Sequence, residues 1–450
     1  MEINRRNFIK RGSLWAAATG VSMAFPMEML AAMRKKVGAN DKINVGLIGC
    51  KGMGFSDLTS MLKISEINVI GLCDVDETVL AQRTEDLKKA GIKKPKWYGD
   101  YREMLNNKDI DVIIVGTPDH WHCLQLTDAL AAGKDVYCEK PIANSIEECN
   151  IMLQTVNASD RMVQIGQWQR SQPHFVDAIN YVHSGKLGEI RLAKAWAYQG
   201  WMNSIPVLPD SAAPKGVDYD MWLGPAPKRP FNKNRFHFDF RWFWDYAGGL
   251  MTDWGVHLID YALYGMKAST PKSVMAMGGK FAYPNDAAET PDTLQTVYEF
   301  DNFSLLWEHA TGIDGGNYGR NHGIAFIGNN GTLVLDREGW EVIPEVEHES
   351  WFRLDDKPKL EKVPLQKSPG SGLDAHTVNF IEAVKTRDAS SLKAPIKVGY
   401  DAALVSHFGN VAYKTGSRVY WDATKGAFTE DKANQYLKAQ YRNGWKLPSL

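Results

Sequence analysis

Asp253 and His257 stand four residues apart in Gly248-Gly249-Leu250-Met251-Thr252-Asp253-Trp254-Gly255-Val256-His257-Leu258-Ile259-Asp260, a spacing that puts both side chains on one face of a helix. An imidazole with an ordinary pKa of about 6.5 accepts a proton near neutrality, and a carboxylate beside it orients it or shares the proton. Such a pair suits removal of an alcohol proton; it equally suits a satisfied pair on a helix surface. The second segment with chemistry in it is Gly49-Cys50-Lys51-Gly52-Met53-Gly54. At a helix start, the backbone N–H groups of such a loop bind a pyrophosphate. Gly49 fits the tight turn and Gly54 the close approach of helix to strand, while Lys51 replaces the usual middle glycine with Gly52 beside it. Asp74, twenty-five residues after Gly49, ends the next apolar run and can accept hydrogen bonds from ribose hydroxyls. Its charge repels a 2′-phosphate and favours NAD over NADP, although Lys51 pulls the other way. His120 and His122 form a His-x-His pair, but no Asp, Glu or Cys cluster accompanies it, so no metal site is expected.

These residues need elements to hold them. Apolar runs at 43–49, 67–74, 111–116, 134–139 and 161–166 read as strands, with helical stretches at 55–62 and 77–90. Strands alternating with helices imply a doubly wound parallel sheet with right-handed crossovers. The second half reads differently: strands at 189–198, 272–281, 293–300, 303–311, 323–327 and 331–336, a hairpin turn at Asn329-Asn330-Gly331, and helices at 375–385 and 400–414. A chain of 450 residues is long enough for two domains and a tail. With 52 basic against 53 acidic residues, it lacks the basic surplus of a nucleic-acid binder. Its five cysteines contain no Cys-x-x-Cys pair, so neither a zinc site nor a disulfide framework is indicated.

Ahead of the domains, Asn4-Arg5-Arg6-Asn7-Phe8-Ile9-Lys10 places a twin arginine before an uncharged, mostly apolar run at 13–25. That run is shorter than the roughly 18–20 residues needed to span a bilayer. The segment 1–35 resembles a twin-arginine (Tat) export signal, with Ala31-Ala32 as a possible end of the cleaved region; a basic leader or a membrane-resting helix is the alternative. Export implies a periplasmic location. Folding in a reducing cytosol before export would account for unpaired cysteines.

Thr117-Pro118-Asp119-His120-Trp121-His122, Glu139-Lys140-Pro141 and the Gly248–Asp260 segment together resemble the glucose–fructose oxidoreductase / inositol dehydrogenase (Gfo/Idh/MocA) family. The resemblance implies an α/β fold of two parts. Residues 41–168 would form the NAD-binding Rossmann domain, and 169–450 a substrate-binding and oligomerisation domain on a large, mostly antiparallel open sheet. It places Gly49, Lys51, Gly52, Met53, Gly54, Asp74, Thr117, Pro118, His122, Glu139 and Lys140 around the cofactor. It makes Lys140 the catalytic lysine. His257 then acts as base, Lys140 as polarising group and relay, and Asp253 as substrate binder, with His257 and Lys140 able to exchange roles. The late helices would pack at the sheet margins or back onto the first domain, and a dimer or tetramer would form through the open sheet face.

Six of the fifteen tryptophans, Trp196, Trp201, Trp222, Trp242, Trp244 and Trp254, fall within 59 residues, interspersed with Arg235, His237, Arg241, Asp245 and Tyr246. Flat indoles beside polar groups suit a pyranose, and they equally suit an aromatic core. Sugars, inositols and polyols are the substrates the resemblance implies, with Trp242, Trp244, Gln167, Gln169 and Arg170 as further contacts. An exported enzyme meets no expected pool of free NAD, so the cofactor is expected to be held tightly. An unknown electron acceptor would then reoxidise it after oxidation of a glycoside hydroxyl, for example at C3. Alternatively, hydride returns to the same molecule after elimination, giving net glycoside cleavage. A sugar-binding protein without turnover is the third reading. Residues 312–323 are rich in glycine and read as a mobile loop over the pocket or against a neighbour.

Overall fold

The computed structural model describes residues 27–33, 38, 42–348 and 357–448. The twin arginine and the apolar run at 13–25 lie outside them.

Six parallel strands form the first sheet: β1 (Ile43–Ile48), β2 (Ile67–Cys73), β3 (Lys96–Tyr98), β4 (Val112–Val115), β5 (Asp135–Cys138) and β6 (Val163–Ile165), in the order β3-β2-β1-β4-β5-β6. Helices cover both faces, so β4 and β5 are buried throughout, and β4 reads as an unbroken apolar run. The order reverses between β1 and β4, which opens a crevice beyond their carboxyl ends. β3 escaped the sequence reading because two of its three residues are exposed and carry no apolar run.

The second sheet has ten strands. They are β7 (Ile190–Gln199), β8 (Ser273–Gly279), β9 (Thr293–Glu299), β10 (Ser304–Thr311), β11 (His322–Gly328), β12 (Gly331–Leu335), β13 (Gly339–Pro344), β16 (Val363–Lys367), β17 (Val419–Asp422) and β18 (Ala427–Phe428), with β14 (Val346–Glu347) and β15 (Lys357–Pro358) pairing apart. Their order is β16-β13-β12-β11-β7-β10-β9-β8-β17-β18. Only β7 and β10 run parallel; the other neighbours are antiparallel. Asn329-Asn330 makes the expected turn between β11 and β12. Helices Pro173–His183 and Gly255–Met266 bury their apolar residues against one face. On β7, β8 and β9, Leu192, Met275, Met277 and Val297 are exposed.

Two late helices return to the first sheet. In helix Leu373–Thr386, Phe380 packs on Tyr137 of β5, and Asp374 and Thr377 bond the Ser60 hydroxyl. Helix Ile396–Thr415 joins both cores: Ile396 and Ala403 belong to the first, Leu404, Val405, Phe408, Val411 and Ala412 to the second. A cut at 168/169 therefore divides the sequence but not the packing. At the other end, helix Met27–Met33 seats Met27 and Leu30 in the apolar cluster containing Val79, Leu80 and Leu87. Ala31-Ala32, the expected end of the cleaved region, thus lies within a helix docked on the first domain. The five cysteines are unpaired and buried. Among the described residues no helix is long and apolar enough to cross a membrane.

Candidate active site

The glycine loop closes over the end of β1. Gly49 has φ 83°, and a Cβ there would lie 2.6 Å from the Gly116 carbonyl carbon; a Cβ on Gly54 would overlap the Gly49 carbonyl oxygen. Backbone thus packs on backbone at Gly49, Gly54 and Gly116. Gly52, at φ 59°, differs, because space is open where its Cβ would stand. No side chain caps helix Met53–Met61, which starts at Gly52, so its first N–H groups are available to an anion. These features fit a dinucleotide pyrophosphate, with Lys51 and Met53 in the same loop. Asp74 accepts N–H bonds from Cys50 (2.8 Å) and Asp76 (3.1 Å), which ties its carboxylate to the loop; burial pushes it up to about 6. Nearby, Asp76 meets His237 of the second domain at 3.0 Å.

Thr117 and Pro118 follow β4, and Pro118 starts helix Asp119–Ala131. Thr117 donates its hydroxyl to Gln125 (2.6 Å). His122, expected to line the nicotinamide pocket, is buried with Nδ1 2.7 Å from the Pro141 carbonyl and Nε2 2.7 Å from that of Thr117. Both ring nitrogens face carbonyls, and burial lowers the pKa of the ring, whose neutral form donates one N–H to one of the two; His122 thus sits between the loops after β4 and β5. His120 is likewise internal, with Nε2 3.1 Å from the Trp222 carbonyl.

Lys140 follows β5. Its ammonium donates to the carbonyl of Asp253 (2.9 Å) and to its carboxylate (3.1 Å), and Arg241 donates to that carboxylate at 3.2 Å. Burial alone would raise Asp253, but Lys140 and Arg241 outweigh it and hold the carboxyl at about 2. Behind Lys140, Glu139 faces Asp57 of helix Met53–Met61. Both are buried, and both Asp57 oxygens and Glu139 Oε1 lack a hydrogen-bond partner; burial pushes Glu139 to about 7, and burial with the nearby Glu139 pushes Asp57 well above its usual range.

Asp253 ends a short helix, Gly249–Asp253, and His257 lies in the next, Gly255–Met266. The His257 Nδ1 is buried without a hydrogen-bond partner. Burial, then Lys140, Arg337 and His322, push its pKa well below the usual histidine range, so the ring is neutral. Trp168 and Trp254 approach its ring edge-on, at 6.4 and 6.3 Å between centroids. His322 reaches the same place from β11, with its ring 5.0 Å from Trp254. The glycine-rich stretch before β11 is tied down: Gly312 and Gly200 bond to Gln199 and Asp314, and Lys194 holds Asn317. It delivers His322 to the crevice.

Of the other expected substrate contacts, Arg170, Trp242 and Trp244 are engaged within the protein. Arg170 is committed to Asp260 by three bonds of 2.6–3.1 Å and stacks on Tyr264, so it is a structural cation. Trp242 is packed into a cluster with Trp222, Phe236, Phe240 and Tyr246, where apolar neighbours take its faces. Trp244 donates its indole N–H to Glu289 and stacks under Lys414. Gln167 Oε1 and both amide atoms of Gln169 are buried without partners. The tryptophan-rich stretch is thus largely core, with Trp254 at the crevice. Trp168, Arg241, His322 and Arg337 are the neighbours missing from the expected site; only Arg241 had a local cue, its place in the aromatic stretch. Among the described residues no cluster of three metal-ligating side chains occurs.

Two family models match. "Oxidoreductase family, NAD-binding Rossmann fold" (Gfo/Idh/MocA) covers residues 43–167, and "Oxidoreductase family, C-terminal alpha/beta domain" covers 189–306. The chain belongs to the Gfo/Idh/MocA oxidoreductase family. As a member of Gfo/Idh/MocA, it is 28% identical over 204 residues to "Glycosyl hydrolase family 109 protein 2" of Shewanella sp. strain ANA-3, and 26% identical over 203 residues to "Alpha-N-acetylgalactosaminidase" of Shewanella oneidensis. Each match takes in 42% of this chain and 44% of the relative, so the chain spans less than half the length of these curated relatives. Two solved structures share the fold. Levoglucosan dehydrogenase in complex with NADH and levoglucosan has TM-score 0.60 and 20% identity, covering 84% of this chain and 99% of that one. Aldose-aldose oxidoreductase from Caulobacter crescentus, complexed with glycerol, has TM-score 0.61 and 19% identity, covering 84% and 100%.

Proposed function

We propose that this Gfo/Idh/MocA protein is an exported, NAD-dependent oxidoreductase that oxidises a secondary hydroxyl of a sugar or glycoside. The observation that carries this is the bonding of Lys140, from the end of β5, to Asp253 of the second domain, with a neutral His257 near enough for the Lys140 charge to act on it. Bound NAD supplies the hydride acceptor. Two of the three Lys140 N–H groups go to Asp253, leaving one for the substrate oxygen. His257, kept neutral, takes the hydroxyl proton. Asp253 stays ionised between Lys140 and Arg241, fixes the ammonium and offers its second oxygen to a sugar hydroxyl. The proposal extends to a tightly held cofactor, to a homo-oligomer through the exposed face of the second sheet, and to Tat export through the motif at Asn4–Lys10.

The family-109 glycosyl hydrolase names among the relatives favour a second reading, redox-neutral glycoside cleavage. Both readings meet in one assay. The protein is purified without added cofactor and tested for bound nicotinamide; alkyl and aryl glycosides are then added while reduced nicotinamide and free aglycone are followed. Reduction without release is expected. Release without net reduction establishes the glycosidase, and ligand binding with neither overturns both in favour of a binding protein.

A further inference from the structure

One cation in the crevice has no bonding role in the chemistry above, beyond helping to keep His257 neutral. Arg337 sits in the turn between β12 and β13, its guanidinium carbon 4.6 Å from the ring centroid of Trp254 and 5.1 Å from that of Trp168. Its Nε is buried without a hydrogen-bond partner, and among the described residues no carboxylate pairs with it. The contrast with its neighbour is sharp: Arg320 takes both nearby carboxylates, Asp336 and Glu341. His257 Nδ1 and His322 Nε2, beside Arg337, are also unpartnered. A guanidinium stacked on indole faces keeps its N–H groups in its own plane, directed at whatever meets its edge.

The charge balance points the same way. Lys140, Arg241 and Arg337 bring three cations to the crevice, and Asp253 brings one ionised carboxylate. Of the other carboxyls close to Lys140 or Arg241, burial pushes Asp119 up to about 8 and Glu139 to about 7, which takes most of their charge away near neutrality, while Asp239, raised by burial, sets only part of its charge against Arg241. A neutral pyranose leaves this surplus uncompensated, whereas an oxyanion on the sugar answers it with charge-assisted, two-pronged bonds. The pyrophosphate of a bound dinucleotide belongs to the Gly52 loop of the first domain, so it is not the missing partner.

We infer that the sugar taken by this crevice carries an oxyanion, the carboxylate of a uronic acid or the sulfate of a sugar ester, held on the edge of Arg337 between Trp168 and Trp254. The inference rests on the reading of the crevice as a sugar site. Its test measures binding, not turnover. The protein with NAD is titrated, by tryptophan fluorescence, with matched methyl glycosides of the gluco, galacto and manno series: the neutral sugar, its 6-carboxylate and its 6-sulfate. In at least one series an anionic form is expected to bind tenfold or more tightly than the neutral form, and 0.5 M NaCl is expected to reduce that ratio. Preference for the carboxylate assigns uronic acids, and preference for the sulfate assigns sulfated sugars. Arg337→Gln is expected to bring the ratio to within threefold of one, with Arg337→Lys intermediate and with both variants folded by near-UV circular dichroism. Ratios near one in every series, or a ratio that survives Arg337→Gln, overturn the inference. Absence of nicotinamide reduction with the ratio intact overturns the dehydrogenase reading and leaves the oxyanion site standing.

Discussion

Asp253 is where the two domains' chemistry is joined: its carboxylate takes Lys140 and Arg241 and is held at about 2 by them. Asp253→Asn is expected to lower kcat/KM about 100-fold or more, since it removes the charge that fixes the ammonium. Lys140→Ala and His257→Ala are each expected to lower turnover by some orders of magnitude, with NAD affinity within threefold of wild type by equilibrium titration; near-wild-type rates remove the residue from the site. Because His257 is held well below the usual histidine range, the acid limb of kcat/KM against pH should fall well under 6.5. An acid limb at or above 6.5 removes His257 as the base. The three central residues were legible because each lies in a short segment whose own sequence marks it. Arg337, His322 and Trp168 were not, because each reaches the crevice by tertiary folding: Asp336-Arg337-Glu338-Gly339 reads in isolation as an ordinary solvated turn. Trp242 packs in an apolar cluster, and aromatic richness has the same look in a core as on a sugar platform.

Elements fix these residues by close backbone contact. Gly54→Ala would drive a methyl group into the Gly49 carbonyl and is expected to lower thermal stability by about 1–3 kcal/mol, read as a fall in Tm. Gly52→Ala meets open space, so its cost is the strained backbone conformation alone (φ 59°, ψ −124°), about 1–3 kcal/mol, and it places a methyl group in the loop expected to hold the pyrophosphate. The pair of variants therefore separates the loop's structural glycine from its binding glycine: NAD affinity should fall with Gly52→Ala out of proportion to the change in Tm. Arg170 links the segment after β6 to helix Gly255–Met266 through Asp260, which is 2% exposed. Arg170→Ala strands that carboxylate and should destabilise the fold by about 3–5 kcal/mol, and Asp260→Leu paired with Arg170→Met should recover most of it. Recovery by thermal melting supports the structural role; full stability in Arg170→Ala refutes it. The parallel, doubly wound character of the first sheet followed from the alternation of apolar runs and helices, whereas the short strands β16, β17 and β18 carry few buried residues and left little trace in the sequence.

Across the whole molecule, burial moves two sets of groups in opposite directions. Glu139 and Glu148 are raised to about 7 and Asp119 to about 8, while His309, His376 and His407 are lowered to about 4. The folded acids hold protons that the unfolded chain releases above its carboxyl pKa, so their contribution is complete at low pH and lost as pH rises through about 7 to 8. The folded histidines refuse protons that the unfolded chain takes up, so theirs is complete above 6.5 and lost as pH falls towards 4. The two trends oppose each other below 6.5, and above it only the acids act, so Tm should decline from pH 6.5 to 8.5. Glu148 is buried away from the crevice beneath Ser145 and Tyr441. Glu148→Gln should flatten that decline by about 1 kcal/mol in unfolding free energy, the larger part of the Glu148 effect lying below pH 6.5; an unchanged slope would show that Glu148 is not held protonated. The 168/169 boundary was drawn where the motifs change, and helix Ile396–Thr415, whose residues enter both cores, shows why sequence pattern alone could not see the sharing.

That shared helix has a consequence for biogenesis. At roughly 5–20 residues per second, a ribosome needs on the order of 10–50 s to go from the end of β6 to the end of helix Ile396–Thr415. For that interval the nascent nucleotide-binding half lacks the two helices that roof its sheet. The first strands to be born are the last to be sheltered, and a message cut short before helix Ile396–Thr415 is complete should yield a chain that chaperones retain.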